Sequence, residues 1–248
     1  MTTKYSPSSC SLLSRAWSRL SLHVVPVGLC VLIHAAGANA KTVIFPETPL
    51  PGKAAFAESR GARVRAILVH GDTMYVGGNF TVSQGGVTRT NLVAFDLDGN
   101  LKPEFNAAPN GIVWSIVTDG KSLFVGGEYT RLGLKKHVAA LDLKTGAVIP
   151  RFTAHLDGNL HKPADEETQL PTCVRTMAIL TDTTVAPPVV RLLIGGNFTQ
   201  VNSTVANRSG IAALDPDTGD LDTTRFAQGV AEGYVNAIVF TPQQVYVG

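Results

Sequence analysis

The sequence predicts an all-β chain of repeated antiparallel sheets. One basis is a recurring Gly-Gly pair that follows a short apolar run and precedes an aromatic residue: Gly77-Gly78 before Phe80, Gly126-Gly127 before Tyr129, Gly195-Gly196 before Phe198. A fourth copy begins at Tyr246-Val247-Gly248. A second basis is spacing. The first glycine lies 13 residues after an opening valine (Val64, Val113, Val235) in three of the four copies. Self-similarity at a fixed period marks an array of like units, each too small to bury its faces alone.

Each unit opens on an apolar run bounded by turn residues, as a buried strand should be. The runs start at Val64, Val113, Val174 and Val235. The glycine-paired strand follows a turn such as His70-Gly71-Asp72. In the third unit Thr181 to Val189 lengthens this hairpin. A third strand ends on Asp96, Asp142 or Asp215 and enters a turn closed by Gly99, Gly146 or Gly219. Aspartate there can accept a backbone N–H two residues on, and glycine takes the left-handed position. A fourth strand leads to Phe105, Phe152 and Phe226.

Four short antiparallel strands on a 49-residue period describe one blade of a β-propeller. The expected architecture is three full blades, beginning near residues 64, 113 and 174, and half of a fourth beginning near 235. Paired glycines let backbones approach closely or bulge. The aromatic after each pair is expected to fill the gap between neighbouring blades. A phosphate-binding role for Gly-Gly would need a helix start after it, and the sequence offers none.

Residues 1–40 read as a cleaved export signal: a basic, serine-rich lead, an apolar run over 24–33, and the small residues Ala38-Asn39-Ala40. The run is too short to span a bilayer comfortably. Residues 41–63, with Pro46, Pro49 and Pro51, read as a lead-in, leaving 64–248 as a partial propeller. Without the signal, 18 basic residues face 19 acidic ones. This balance argues against nucleic acid as the main partner. Only Cys173 then remains, so no internal disulfide is expected, and its thiol reads as structural.

The pattern Tyr/Phe-Val-Gly-Gly-x-Phe-Thr, a basic residue, Leu/Ile-Ala-x-Leu-Asp, a Thr-Gly turn and then Phe resembles the delta-60 type of bacterial β-propeller repeat, itself loosely similar to kelch repeats. The resemblance covers Val64 to Gly248 and places Phe where kelch repeats usually carry Trp. It implies the fold and carries no catalytic residue over. Three complete units fall short of the four to eight blades of a closed ring. The expectation is therefore a fragment of a longer protein, with ring closure by self-association as the alternative.

The longest connection between units, Phe152 to Val174, holds His155, Asp157, His161, Asp165, Glu166 and Glu167. Long loops on a rigid scaffold are where binding tends to sit. Histidine and carboxylate are good metal ligands, but a solvated acidic loop is the favoured reading. A calcium reading of Asp215 to Asp220 lacks the ligand spacing of an EF-hand, so a repeated turn is favoured. No catalytic motif appears, and no metal or cofactor is expected. The functional expectation is an exported binding, interaction or structural module, secreted, periplasmic or at the cell surface. Its ligand is an unspecified protein or carbohydrate. The alternative is a propeller enzyme such as a quinoprotein dehydrogenase or copper oxidase.

Overall fold

The computed structural model describes residues 55–56, 61–158, 171–203, 210–223, 234–241 and 244–248. Among these residues there is no helix, and every strand pairing is antiparallel. A short β1 (Ala55–Phe56) pairs with the far end of the first unit's central strand. That unit is β2 (Arg63–His70), β3 (Thr73–Gln84) and β4 (Val87–Asp96). The second is β5 (Val113–Thr118), β6 (Ser122–Gly127) and β7 (Val138–Asp142). In the connection that follows lies β8 (Leu156–Asp157). The third unit is β9 (Cys173–Asp182) and β10 (Val189–Asn197), then a short β11 (Gln200–Val201), then β12 (Ile211–Leu214). The fourth opens with the hairpin β13 (Ile238–Phe240) and β14 (Val245–Val247).

The glycine-paired strand is central in each of the first three sheets, flanked by the first and third strands. Among the described residues the expected fourth strand is reduced to one bridge per unit: Phe95 to Leu101, Leu141 to Val148, and Leu214 to Leu221, while Phe226 lies outside the described residues. The cause is local. Each aspartate at the end of the third strand folds the chain back at once. Asp96 Oδ1 accepts the Asp98 N–H at 3.0 Å, Asp142 Oδ1 that of Lys144 at 3.1 Å, and Asp215 Oδ1 that of Asp217 at 2.8 Å. Gly99, Gly146 and Gly219 close these turns at φ of 81°, 72° and 80°. The segment beyond then turns away to serve the next unit. The Asn106 N–H donates to the Thr145 carbonyl at 2.9 Å, and the Thr153 N–H to the Thr218 carbonyl at 2.7 Å.

Strand side chains alternate between faces, and here the alternation sorts the core by unit. Tyr75, Leu92, Ala94 and Phe105 of the first unit join Val113, Ile116, Leu123, Val125 and Tyr129 of the second in one buried cluster. Phe124, Val138, Ala140 and Phe152 from the second unit's other face join Val174, Met177, Ile194 and Phe198 of the third. Among the described residues, two of the three clusters therefore lie between units. As expected, Tyr129 and Phe198 are buried there. Phe80 packs within its own unit, beside Met74, Val76 and Val93.

The two glycines of each pair do different work. The first makes room for the next unit: a Cβ on Gly77 would lie 2.5 Å from Val113 Cγ1, one on Gly126 2.6 Å from Val174 Cγ1, and one on Gly195 2.7 Å from Val235 Cγ1. The second makes room within its own sheet. A Cβ on Gly78, Gly127 or Gly196 would collide with the carbonyl oxygen of Arg63, Ile112 or Cys173.

A basic residue on the third strand of the first unit and one ahead of the third strand of the second also have a structural task. Arg89 Nε donates to the Phe105 carbonyl at 2.8 Å, and Lys135 Nζ donates to the Phe152 carbonyl.

Candidate functional site: a cation and aromatic ladder on repeated β-bulges

Pairing between the first and second strands slips at the same place in each unit. Val64 faces Gly78 and Ala66 faces Gly77, so Arg65 has no partner in register. Val113 faces Gly127 and Ser115 faces Gly126, which leaves out Trp114. Val174 faces Gly196 and Thr176 faces Gly195, which leaves out Arg175. In the fourth unit the N–H groups of Asn236 and Ala237 both donate to the Gly248 carbonyl, at 2.7 and 2.9 Å. These are β-bulges: one extra residue on one strand, which re-aims its side chain. The second glycine of each pair permits the close approach that each bulge needs.

The bulged residues meet across the units. The Arg65 guanidinium carbon stands 4.2 Å from the Trp114 ring centroid, and that of Arg175 stands 5.1 Å from it. Arg175 also stands 5.1 Å from the Tyr234 ring, and its Nη1 donates to Asn236 Oδ1 at 3.3 Å. Guanidinium over an aromatic face is an attractive arrangement, strongest over tryptophan. Trp114 is further held by its Nε1–H, which donates to Glu128 Oε1 at 2.9 Å. Among the described residues neither Arg65 nor Arg175 forms an ion pair. Arg175 Nε is buried without a hydrogen-bond partner. The ladder therefore presents positive charge that no carboxylate of the described chain neutralises by contact.

Cys173 lies two residues from Arg175, buried and free. Burial pushes its thiol above the ordinary value, against smaller opposing pulls from the Asn197 backbone and Arg175. A thiol held protonated is a poor nucleophile and a poor metal ligand, which agrees with a packing role.

The long second connection is only partly described. His161, Asp165, Glu166 and Glu167 lie outside the described residues. Asp157 sits on β8, which pairs with β11 of the third unit. His155 is tied to the same region: its N–H donates to Asn202 Oδ1 at 3.0 Å, and its Nε2 lies 3.1 Å from Ser203 Oγ. Asp157 Oδ2 is 3.9 Å from His155 Nε2. Among the described residues no three histidine, cysteine or carboxylate side chains gather as a metal site. The glycine pairs and Asp96, Asp142 and Asp215 serve as structural residues.

Sequence reasoning missed the ladder, because its rungs are Arg, Trp, Arg and Asn. The available signal was positional: each is the residue after the opening valine, opposite a glycine pair. No family model, no curated protein and no solved structure matches the chain.

Proposed function

We propose that this chain is an exported β-propeller repeat protein of the delta-60 type, secreted, periplasmic or at the cell surface. In this reading it acts as a binding module whose contact rim is the Arg65, Trp114 and Arg175 ladder. The ligand class is a polyanion bearing spaced carboxylates, such as an acidic polysaccharide. The propeller reading is supported by three like junctions, in which a glycine of one unit receives the valine that opens the next. It is also supported by the order of the first strands, since β5 touches β2 and β9, and β9 touches β13. In a propeller these strands line the axis, and the bulges would set the ladder at one mouth of it.

The observation that carries the binding reading is the pair of arginines that pair with no carboxylate among the described residues, from units one and three, on either side of Trp114 in sequence order. Their guanidinium groups already occupy the indole, so charge rather than a bare ring is offered to a ligand. Arginine suits carboxylate recognition because its planar fork bonds two oxygens at once.

The test uses tryptophan fluorescence of the full chain carrying Trp17→Phe, titrated with polygalacturonate, neutral dextran and single-stranded DNA. Polygalacturonate should bind and dextran should not. Arg175→Gln should weaken binding by about tenfold, the scale of one charge-assisted bond. Equal responses to dextran, or an Arg175→Gln variant that binds as well as the parent, would contradict the reading. Tighter binding to DNA would replace the carbohydrate.

A further inference from the structure

The residue that follows each glycine pair differs between units, and its partners differ with it. It is Asn79 in the first unit, Glu128 in the second and Asn197 in the third. Asn79 Nδ2 donates to the Gly61 carbonyl at 3.5 Å, and Asn197 Nδ2 to the Pro171 carbonyl at 2.9 Å. Gly61 and Pro171 hold the same place, three residues before the opening valine, so each asparagine pins the segment that enters its unit. In the second unit that place is Asn110, which secures the entry by itself. Its Oδ1 accepts the N–H groups of Thr130 and Arg131 at 2.9 and 2.8 Å, and its Nδ2 donates to Thr130 Oγ1 at 3.0 Å. Glu128 is thereby released from the duty that its counterparts perform.

Glu128 turns instead to the ladder. A carboxylate has no N–H to donate, and its Oε1 accepts the Trp114 indole N–H at 2.9 Å. The change from asparagine to glutamate falls in the same unit as the change from arginine to tryptophan at the bulge. An amide oxygen would serve the indole equally well, so the hydrogen bond does not account for the charge. That charge stands at the edge of a ring whose centroid is 4.2 Å from the Arg65 guanidinium carbon and 5.1 Å from that of Arg175. Among the described residues neither guanidinium pairs with a carboxylate, Glu128 included. Arg175 keeps Asn236 as the partner of its Nη1. The Glu128 charge is also felt in the third unit: at Cys173, whose thiol burial raises most, it adds a push in the same direction. The ladder thus offers two positive groups, with one negative group on the unit between them.

We propose that Glu128 is the specificity residue of the Arg65, Trp114 and Arg175 ladder: it admits anionic polymers that set a hydroxyl opposite it and turns away those that set a charge there. This inference rests on the binding reading above. A uronic acid chain meets the requirement, because hydroxyls separate its carboxylates. Its carboxylates pair with the guanidinium groups, and a hydroxyl between them donates to the Glu128 carboxylate in a charge-assisted bond. A continuous run of charge, as in polyphosphate, brings an anion against Glu128. Like charges repel within a Debye length, about 8–10 Å at moderate salt. A site that repels the wrong ligand while attracting the right one gains selectivity from both terms.

The experiment uses the full chain carrying Trp17→Phe, so that Trp114 alone reports, titrated in low salt with polygalacturonate and with inorganic polyphosphate. Glu128→Gln keeps an oxygen for the indole and removes the charge. The parent should bind polygalacturonate more tightly than polyphosphate. In Glu128→Gln the affinity for polyphosphate should rise about fivefold, while that for polygalacturonate should not rise. Emission from the ligand-free variant should match the parent's, and a shifted emission would assign any change to a displaced ring and not to the charge, against the proposal. Glu128→Asn, which gives the second unit the residue that the first and third already carry, repeats the comparison if the glutamine variant folds poorly. Unchanged polyphosphate binding, or an equal gain for both polymers, would overturn the inference and leave the binding reading standing. A parent that binds no polygalacturonate would remove both.

Discussion

Gly126 and Val174 share one space. A single methyl group on the glycine would lie 2.6 Å from Cγ1 of the valine, which itself is fully buried. The two residues belong to consecutive units, so the missing side chain of one strand is the packing site of the next. The neighbouring Gly127 is needed for another reason: it faces the backbone of its own sheet, at the Ile112 carbonyl.

That division predicts unequal costs at the two glycines. Gly126→Ala presses on side-chain atoms, and overpacking of this kind costs about 1–3 kcal/mol. Gly127→Ala presses on a carbonyl oxygen that can move only if the bulge is lost, so it should cost about 3 kcal/mol or more. It should also shift Trp114 fluorescence in the folded state, because Trp114 is the bulged residue opposite it. Urea unfolding of the two variants, followed by fluorescence, checks both expectations. Equal costs with an unmoved Trp114 signal would contradict the division.

His137 predicts a pH dependence. It is buried, adopts φ of 64°, and its Nδ1 has no hydrogen-bond partner. Burial lowers its basicity from the ordinary 6.5, more than the Gly127 backbone and Asp157 raise it. The unfolded chain therefore binds more protons than the native one as pH falls through that value, and stability must fall with it. The contribution is fully present above pH 6.5 and is lost as pH drops toward the lowered native value. Asn91 holds the equivalent place in the first unit at φ of 62°. His137→Asn should thus fold and lose much of the stability difference between neutral and mildly acidic pH. Urea midpoints for parent and variant, measured on both sides of the histidine range, test this, and an unchanged difference would refute it.

The Arg191 and Asp222 pair predicts a large effect far from the ladder. Arg191 Nε donates to Asp222 Oδ2, with side chains 22% and 6% exposed. Asp222→Ala leaves a guanidinium largely shielded from water with its partner gone, at a cost of about 3 kcal/mol. Arg151→Ala, which breaks an open pair to Asp217 at 3.4 Å, should cost under about 1 kcal/mol. Parallel denaturation of the two variants ranks them. A cost for Asp222→Ala as small as that for Arg151→Ala would count against the buried pair.

Salt should act on ligand binding and not on the fold. Binding through two guanidinium groups weakens as counterions screen them. Stability held by apolar clusters between units should change little over the same range. Titrations with polygalacturonate at low and high sodium chloride, with urea midpoints alongside, separate the two, and salt-independent binding would argue against the arginines.

What the sequence disclosed followed from chemistry that repeats as residue type. Glycine recurs at 77, 126 and 195 because no other residue leaves the space. Aspartate recurs at 96, 142 and 215 because its carboxylate caps the turn. The fourth strand was overestimated: the segments leading to Phe105 and Phe152 read as strands, yet on them only Leu101 and Val148 make a bridge, one each, before the chain turns to the next unit. The ladder was invisible because its chemistry lies in the contact between unlike residues. Arg65 and Trp114 share only a place in the register, and that place becomes a site only when the bulges bring it into line. The pairing of β8 with β11 was hidden for a similar reason, since it joins a connection to a strand end more than 40 residues away.

The central claim is that successive glycine-paired units pack on one another through a repeated contact. A double-mutant cycle at residues 126 and 174 tests it most directly. Gly126→Ala and Val174→Ala are each expected to destabilise, the first by crowding and the second, by about 2 kcal/mol, through an emptied cavity. Combined, the Val174 Cγ1 that stands nearest the added methyl is gone and of that side chain only the Cβ contact at 2.9 Å remains, so the double variant should be more stable than the sum of the two by about 1 kcal/mol. Strict additivity in urea unfolding would mean that the two residues do not meet, and the stacking of the units would fall with it.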